Sequence, residues 1–324
     1  MAKTALHWTD AARAPRSVFM GTPDFAVPSL EALAECTELV GVVSQPDRSR
    51  GRGMSAAPSA VSAVALARGV PLIRPVKVRD PEVLSTLTSW RPDLIVVAAY
   101  GRILPRALLE LPTIAPINVH ASLLPRHRGA GPIAAALLAG DRETGITIML
   151  MSEEMDAGDI LLQQSVVIAP EDTTGKLTAR LAALGGVALR DACLRLRGPG
   201  LTRASQDPAA VTYAPRLSKD DGRVRWSEPA VVIERKVRAF TPWPSAFASL
   251  AGRTVKILSA RAHPDTPSPD AAPGTIVGAA DTIRVATGAG MLELLAVQAE
   301  GKRPLEARAF VAGARLAPGD RFDG

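Results

Sequence analysis

Leu94-Ile-Val-Val-Ala-Ala-Tyr is an unbroken apolar run of strand length that stops on Gly101. A strand with one wet face alternates polar and apolar residues, so a run without alternation has to be covered on both sides. Helices on both faces of a parallel sheet provide that cover, and the rest of the N-terminal half supplies them. Ser17–Met20 reads as a strand, and a helix follows from about Pro28 with Val27, Leu30, Leu33 and Ala34 on one face. Leu39–Gln45 and Pro71–Arg74 read as strands; Ala57–Arg68, Pro81–Trp90, Pro105–Leu111 and Gly131–Gly140 read as helices. Ile146–Ser152 and Ile160–Ala169 form a hairpin around a Glu153–Asp159 loop, and a long amphipathic helix runs from about Asp172 to Arg197. The pattern predicts a Rossmann-like, mostly parallel α/β domain over residues 1–197.

Gly198-Pro-Gly-Leu-Thr-Arg-Ala-Ser-Gln-Asp-Pro has the composition of a connection, and residues 198–216 are read as a linker. Beyond it a charged helix near Glu228–Phe240 precedes short strands near Thr254–Ala260, Pro273–Val277, Thr282–Ala286 and Leu292–Val297. Their spacing by Gly and Pro predicts a small OB-like β-barrel over residues 217–324.

Composition narrows the chemistry. Only Cys36 and Cys193 occur among the 324 residues, too few for a disulfide framework or a thiolate metal site, and this fits a reducing, cytoplasmic setting. No apolar run reaches the ~18 residues of a membrane span. The first ten residues lack the apolar core of a secretory signal and are read as a disordered tail. The net charge of +6 is uneven. Arg48, Arg50, Arg52, Arg68, Arg74, Lys77 and Arg79 occupy residues 48–79 without an acidic residue, and residues 189–240 are also rich in Lys and Arg. Basic zones in an otherwise mildly acidic chain favour a polyanionic partner.

Pro116-Ile-Asn-Val-His-Ala-Ser-Leu-Leu-Pro-Arg carries the chemistry. Asn118, His120 and Ser122 alternate, so an extended strand puts all three on one face just before Pro125 breaks it. An imidazole beside an amide suits a reaction that develops negative charge on a carbonyl oxygen. Asp156, in the hairpin loop, is the candidate to orient His120 and to favour its charged form. No Gly-x-Gly-x-x-Gly follows the first strand, so no nucleotide cofactor is expected. His7, His120, His127 and His263 lack metal-ligand spacing, so no metal is expected either.

Phe19-Met-Gly-Thr-Pro-Asp-Phe, Gln45-Pro-Asp-Arg, Ala99-Tyr-Gly-Arg-Ile-Leu-Pro and Ile117-Asn-Val-His-Ala-Ser-Leu-Leu-Pro-Arg resemble the methionyl-tRNA formyltransferases, a branch of the 10-formyltetrahydrofolate-dependent formyltransferases. Thr147-Ile-Met, Asp156-Ala-Gly-Asp, Tyr213-Ala-Pro-Arg-Leu-Ser-Lys, Arg238-Ala-Phe-Thr-Pro-Trp-Pro and Pro318-Gly-Asp-Arg-Phe extend the resemblance over roughly residues 16–322. Ala121 stands where many members have glycine. The resemblance implies Asn118, His120 and Asp156 as the catalytic set, and Ser122, Leu123, Leu124 and Pro125 as lining for the folate. It implies 10-formyltetrahydrofolate as co-substrate and initiator methionyl-tRNA as partner. Arg52, with Arg48 and Arg50, would meet the tRNA acceptor stem, and the second domain would hold the tRNA body. The chain is expected to act as a monomer. Two other classes share parts of this pattern: a sugar-nucleotide formyltransferase or formyltetrahydrofolate hydrolase on the same core, and a nucleic-acid-binding protein with an inactive α/β domain.

Overall fold

The computed structural model of the chain describes residues 5–10, 12–47, 57–264 and 271–323. Two compact units emerge. The first comprises Met1–Pro132, Glu143–Val167 and Thr178–Ala214; the second comprises Ile133–Arg142, Ile168–Leu177 and Pro215–Gly324.

In the first part of the chain the strands are β1 (Arg16–Gly21), β2 (Glu38–Val43), β3 (Leu72–Ile73), β4 (Leu94–Ala98), β5 (Ala115–His120), β6 (Arg128–Gly129), β7 (Glu143–Leu150), β8 (Ile160–Val167) and β9 (Tyr213–Ala214). The helices there are α1 (Val27–Cys36), α2 (Ala60–Ala67), α3 (Pro81–Ser89), α4 (Arg106–Leu109), α5 (Pro132–Ala139) and α6 (Thr174–Arg197). A seven-stranded sheet runs β3-β2-β1-β4-β5-β7-β8. β1 to β5 pair in parallel, whereas β7 pairs antiparallel with β5 and β8 closes the edge antiparallel to β7. All of β4 is buried, as its apolar run required. Val18, Phe19 and Met20 of β1 and Ile95 and Val96 of β4 are fully enclosed. Each large side chain so buried contributes ~1.5–3 kcal/mol over leaving it in water.

The order of strands reverses between β1 and β4, and in open α/β sheets that reversal opens a crevice at the carboxyl ends of the strands. Turns from three of the recognisable motifs meet there. Gln45 donates from Nε2 to the carbonyl of Tyr100 at 2.6 Å, and its own amide donates to Thr22 Oγ1 at 3.3 Å.

Residues 198–214, read from composition as a linker, group with the first unit and are hydrogen-bonded along it. Leu201 and Leu6 exchange backbone bonds at 2.9 Å, Ala204 and Ile160 do the same at 2.9 and 2.8 Å, and β9 pairs in parallel with β6. The expected N-terminal tail is likewise held where it is described: Trp8 N donates to the carbonyl of Leu196 at 2.8 Å, and the Arg13 guanidinium stacks 4.5 Å from the Trp8 ring. Backbone pairing between distant segments of irregular sequence leaves no periodic trace, which is why both stretches read as unstructured.

The second unit is built on an antiparallel sheet of β10 (Ala246–Leu250), β11 (Arg253–His263), β12 (Ile276–Ala279), β13 (Ile283–Ala286), β14 (Met291–Ala299), β15 (Leu305–Glu306) and β16 (Phe322–Asp323). The order β12-β13-β14-β11-β10-β16 curls until Thr275 bridges Arg321 and joins the two ends, giving the barrel-like form expected. Its core gathers Trp226, Ile257, Ile283, Leu292, Leu294 and Phe322, with Ile233 and Val237 of α7 (Ala230–Ala239) and Phe310 of α8 (Ala307–Ala314). β11 to β14 were legible; β10, α8 and the short strands β15 and β16 were not.

Candidate active site

β5 lies between β4 and β7, with Asn118 opposite Val97 on one side and Met149 on the other, and His120 opposite Thr147. The two-residue period puts Asn118 and His120 on one face, but β5 ends at His120, so Ser122, expected on the same strand face, lies in the bend that follows. Asp156 reaches them from the loop that joins β7 to β8. Its Oδ1 accepts from Asn118 Nδ2 at 3.3 Å, and its Oδ2 lies 3.6 Å from His120 Nδ1. Oδ2 also accepts from the Gly129 amide at 2.9 Å, so the carboxylate is anchored from the loop after β5 as well. Asp156, 38 residues from Asn118 along the chain, converges with Asn118 and His120 on one spot.

The loop reaches this spot through a tight neck. An added methyl at Gly158 would lie 1.9 Å from the Leu150 carbonyl oxygen, so a residue with a Cβ cannot take its place without backbone movement. Asp156 has φ +51°, in the left-handed region that L-residues enter at a cost but that Asp tolerates better than most.

His120 is buried, and its Nε2 sits 3.0 Å from the carbonyl of His127, an acceptor that calls for a proton on that nitrogen. Nδ1 then faces Asp156. Burial lowers the pKa of the ring below its ordinary value, opposed chiefly by the Asp156 charge and by the bond to His127. The expectation that Asp156 sets the ring's charge therefore captured the smaller part of the balance. Desolvation outweighs the neighbouring carboxylate, so the ring titrates below the ordinary histidine range.

Ser122, Leu123, Leu124 and Pro125 follow β5 after Ala121. Ser122 Oγ donates to the Arg126 carbonyl at 2.7 Å, and the Ser122 carbonyl accepts from Thr147 Oγ1 at 2.6 Å. The Leu124 amide donates to Thr147 Oγ1 at 3.1 Å, and the Leu124 carbonyl accepts from Gln163 Nε2 at 2.8 Å. These polar groups are spent on holding the turn. Arg48, Arg50 and Arg52 lie outside the described residues.

A carboxylate, an amide donor and an imidazole, gathered at the carboxyl end of a strand, can orient an amine, take its proton and donate to a developing oxyanion. The Formyl transferase family matches residues 16–193, and the Formyl transferase, C-terminal domain family matches residues 216–315. The chain belongs to the formyl transferase family. A methionyl-tRNA formyltransferase of Myxococcus xanthus is 46% identical over 308 residues, covering 95% of this chain and 97% of the relative. Among solved structures, an N-formyltransferase from Helicobacter canadensis in complex with folinic acid and dTDP-3-aminofucose shares the fold with a TM-score of 0.62 at 15% identity, over 87% of this chain and 98% of that one. HypX from Aquifex aeolicus in complex with tetrahydrofolic acid shares it with a TM-score of 0.56 at 16% identity, over 93% of this chain; the match spans 47% of HypX.

Several groups around this formyl transferase site escaped sequence reading. The Gly129 amide and the His127 carbonyl are backbone groups and have no residue signature. Gln163 lies on β8, and Thr212 accepts from the His127 amide at 2.8 Å; Thr147 on β7 was visible in the Thr147-Ile-Met motif but without a role. Gln206 bonds to the Asp156 loop from within the supposed linker. The Tyr213-Ala-Pro-Arg motif was the one available hint that this stretch does more than connect.

Proposed function

We propose that this chain transfers the formyl group of 10-formyltetrahydrofolate to the free amine of initiator methionyl-tRNA, giving formylmethionyl-tRNA, and that it does so as a cytoplasmic monomer. The observation that carries the reading is the convergence of Asn118, His120 and Asp156, in a chain whose methionyl-tRNA formyltransferase relative matches it over nearly the full length of both.

In this reading the methionyl nitrogen attacks the formyl carbon and the carbonyl oxygen becomes an oxyanion. The bond from that carbon to N10 of the folate then breaks, N10 takes up the proton that the amine gave up, and tetrahydrofolate leaves. Asn118 has a second proton on Nδ2 to donate, because an amide nitrogen carries two and Asp156 takes one. Asp156 accepts the amine proton, directly or through a water, and His120 Nδ1 stands beside it to take a proton in turn. Burial disfavours charge on the ring, and a charge gained there as the oxyanion forms stabilises the transition state more than the ground state. Ser122 to Pro125 would border the folate, and the basic loop with Arg48, Arg50 and Arg52 would meet the acceptor stem. Residues 1–197 would then carry the chemistry, and residues 217–324 would hold the tRNA body.

The test offers purified protein and 10-formyltetrahydrofolate three acceptors: charged initiator tRNA, an amino-sugar nucleotide, or water. Formylation of the tRNA alone is expected; turnover on the sugar or on water alone would refute the acceptor. His120→Ala and Asn118→Ala should each lower kcat on the order of 100-fold, for Asn118 the usual cost of one oxyanion donor and for His120 that of a group that moves a proton. Arg52→Ala should impair tRNA formylation while folate binding stays intact.

A further inference from the structure

A glutamine side chain offers one carbonyl acceptor and two N–H donors. Gln206 commits all three near the site. Its Nε2 donates to the carbonyls of Asp156 and Gly158, both at 2.8 Å, and its Oε1 accepts from Arg128 Nε at 2.9 Å. The two carbonyls bracket the turn in which Asp156 takes its left-handed conformation. They belong to the loop between β7 and β8, whereas Arg128 belongs to the loop after β5. Arg128 is buried, and its Nη1 also reaches Glu154 in the first loop at 3.4 Å.

The neighbours of Gln206 continue the pattern. Ala204 exchanges backbone bonds with Ile160, and Arg203 pairs with Asp159 at 3.0 Å, so residues 203–206 run antiparallel to residues 156–160. Thr212 accepts from the His127 amide, and its carbonyl accepts from the Arg128 amide at 2.9 Å. His127 supplies the carbonyl that orients His120. One segment thus braces both loops that surround the imidazole.

We propose that Gln206 is a positioning residue, which holds the Asp156 carboxylate against Asn118 and His120 by tying its loop to Arg128. The proposal rests on the reading that Asp156 acts in formyl transfer. With the tie cut, the loop can turn the carboxylate away. The charged and titratable groups facing His120 are Asp156 from one loop and His127 from the other; the Asp156 charge is the larger opponent of burial, the His127 carbonyl bond opposes it too, and the His127 ring adds to it. The amide is specific to the task. Gln206→Glu keeps the length of the side chain and offers Arg128 a carboxylate, but sets oxygen against the two carbonyls where N–H groups are needed.

The test compares full-length wild type with Gln206→Leu, Gln206→Glu and Asp156→Asn. It measures kcat and KM for formyl transfer and the titration of the His120 ring by NMR, assigned with His120→Ala. Both Gln206 variants should lose ~10- to 100-fold in kcat, the scale of a displaced catalytic group, with KM for the folate changed less than about threefold. Both should also shift the His120 midpoint downward, in the same direction as Asp156→Asn. A Gln206→Glu protein with wild-type kcat and an unmoved midpoint, beside an impaired Asp156→Asn, overturns the positioning role and leaves the catalytic reading standing. An Asp156→Asn protein with wild-type kcat overturns both. Should Gln206→Leu fail to fold, the Glu variant decides.

Discussion

His120 shows how much enclosure changes a side chain's chemistry. Histidine beside a carboxylate is a pairing that ordinarily raises the pKa of the ring, yet here burial dominates and lowers it. The consequence for stability has a definite sign. The unfolded chain binds a proton on this ring more readily than the native protein does. Stability from this group is therefore complete above the ordinary histidine pKa and is lost as pH falls toward the lowered native value. Asp156→Asn removes the charge that opposes burial and extends that loss to lower pH. The drop in Tm between about pH 7 and about pH 5 should accordingly be larger in Asp156→Asn than in wild type, and smaller in His120→Asn. Equal drops in all three proteins would show that His120 does not sense its burial.

The loop between β7 and β8 carries Asp156 through a passage that only glycine fits. At Gly158 a methyl would meet the Leu150 carbonyl, which is backbone and cannot swing aside. Gly158→Ala should cost ~1–3 kcal/mol, the range for forcing extra volume into a packed site, and should reduce formyl transfer further because Asp156 is two residues away. The same exchange on α8 has the opposite sign. Nothing lies within 4 Å of an added methyl at Gly313, which is exposed in a helix. Gly313→Ala should stabilise by ~0.5–1 kcal/mol through helix propensity alone. Denaturant midpoints of the two variants, measured side by side, check both signs.

Across the chain, the point at which the catalytic unit ends decides whether it works. Composition placed the boundary near residue 198, but Gln206, Thr212 and Ala214 all bond to the loops around His120 and Asp156. A protein ending at residue 205 keeps every motif residue named for catalysis and loses this brace; one ending at residue 214 keeps both. The longer piece should bind folate close to the full chain, and the shorter should bind at least ~10-fold more weakly, since a loop freed of its tertiary bonds must be reordered by the ligand. Calorimetric titration with a folate distinguishes them. Neither piece should formylate tRNA well. Equal folate affinity in the two would show that residues 206–214 are dispensable to the site.

Local patterns were enough to read much of this architecture. Unbroken apolar runs marked the parallel strands, alternation put Asn118 and His120 on one face, and an acidic, glycine-containing loop between two strands pointed to Asp156. These features depend on residues within a few positions of each other, and side-chain periodicity records them directly. The pairing of β6 with β9, the brace from Gln206 and the holding of Leu6 and Trp8 could not be read this way. They are hydrogen bonds between segments separated by 48 residues for Gln206 and Gly158 and by 85 for Thr212 and His127. The sequence by itself determined which elements form and which chemical groups the site has to work with. The tertiary structure decided which carbonyls those groups satisfy and in which direction the His120 ring is shifted, because both depend on what surrounds a group after the chain has closed around it.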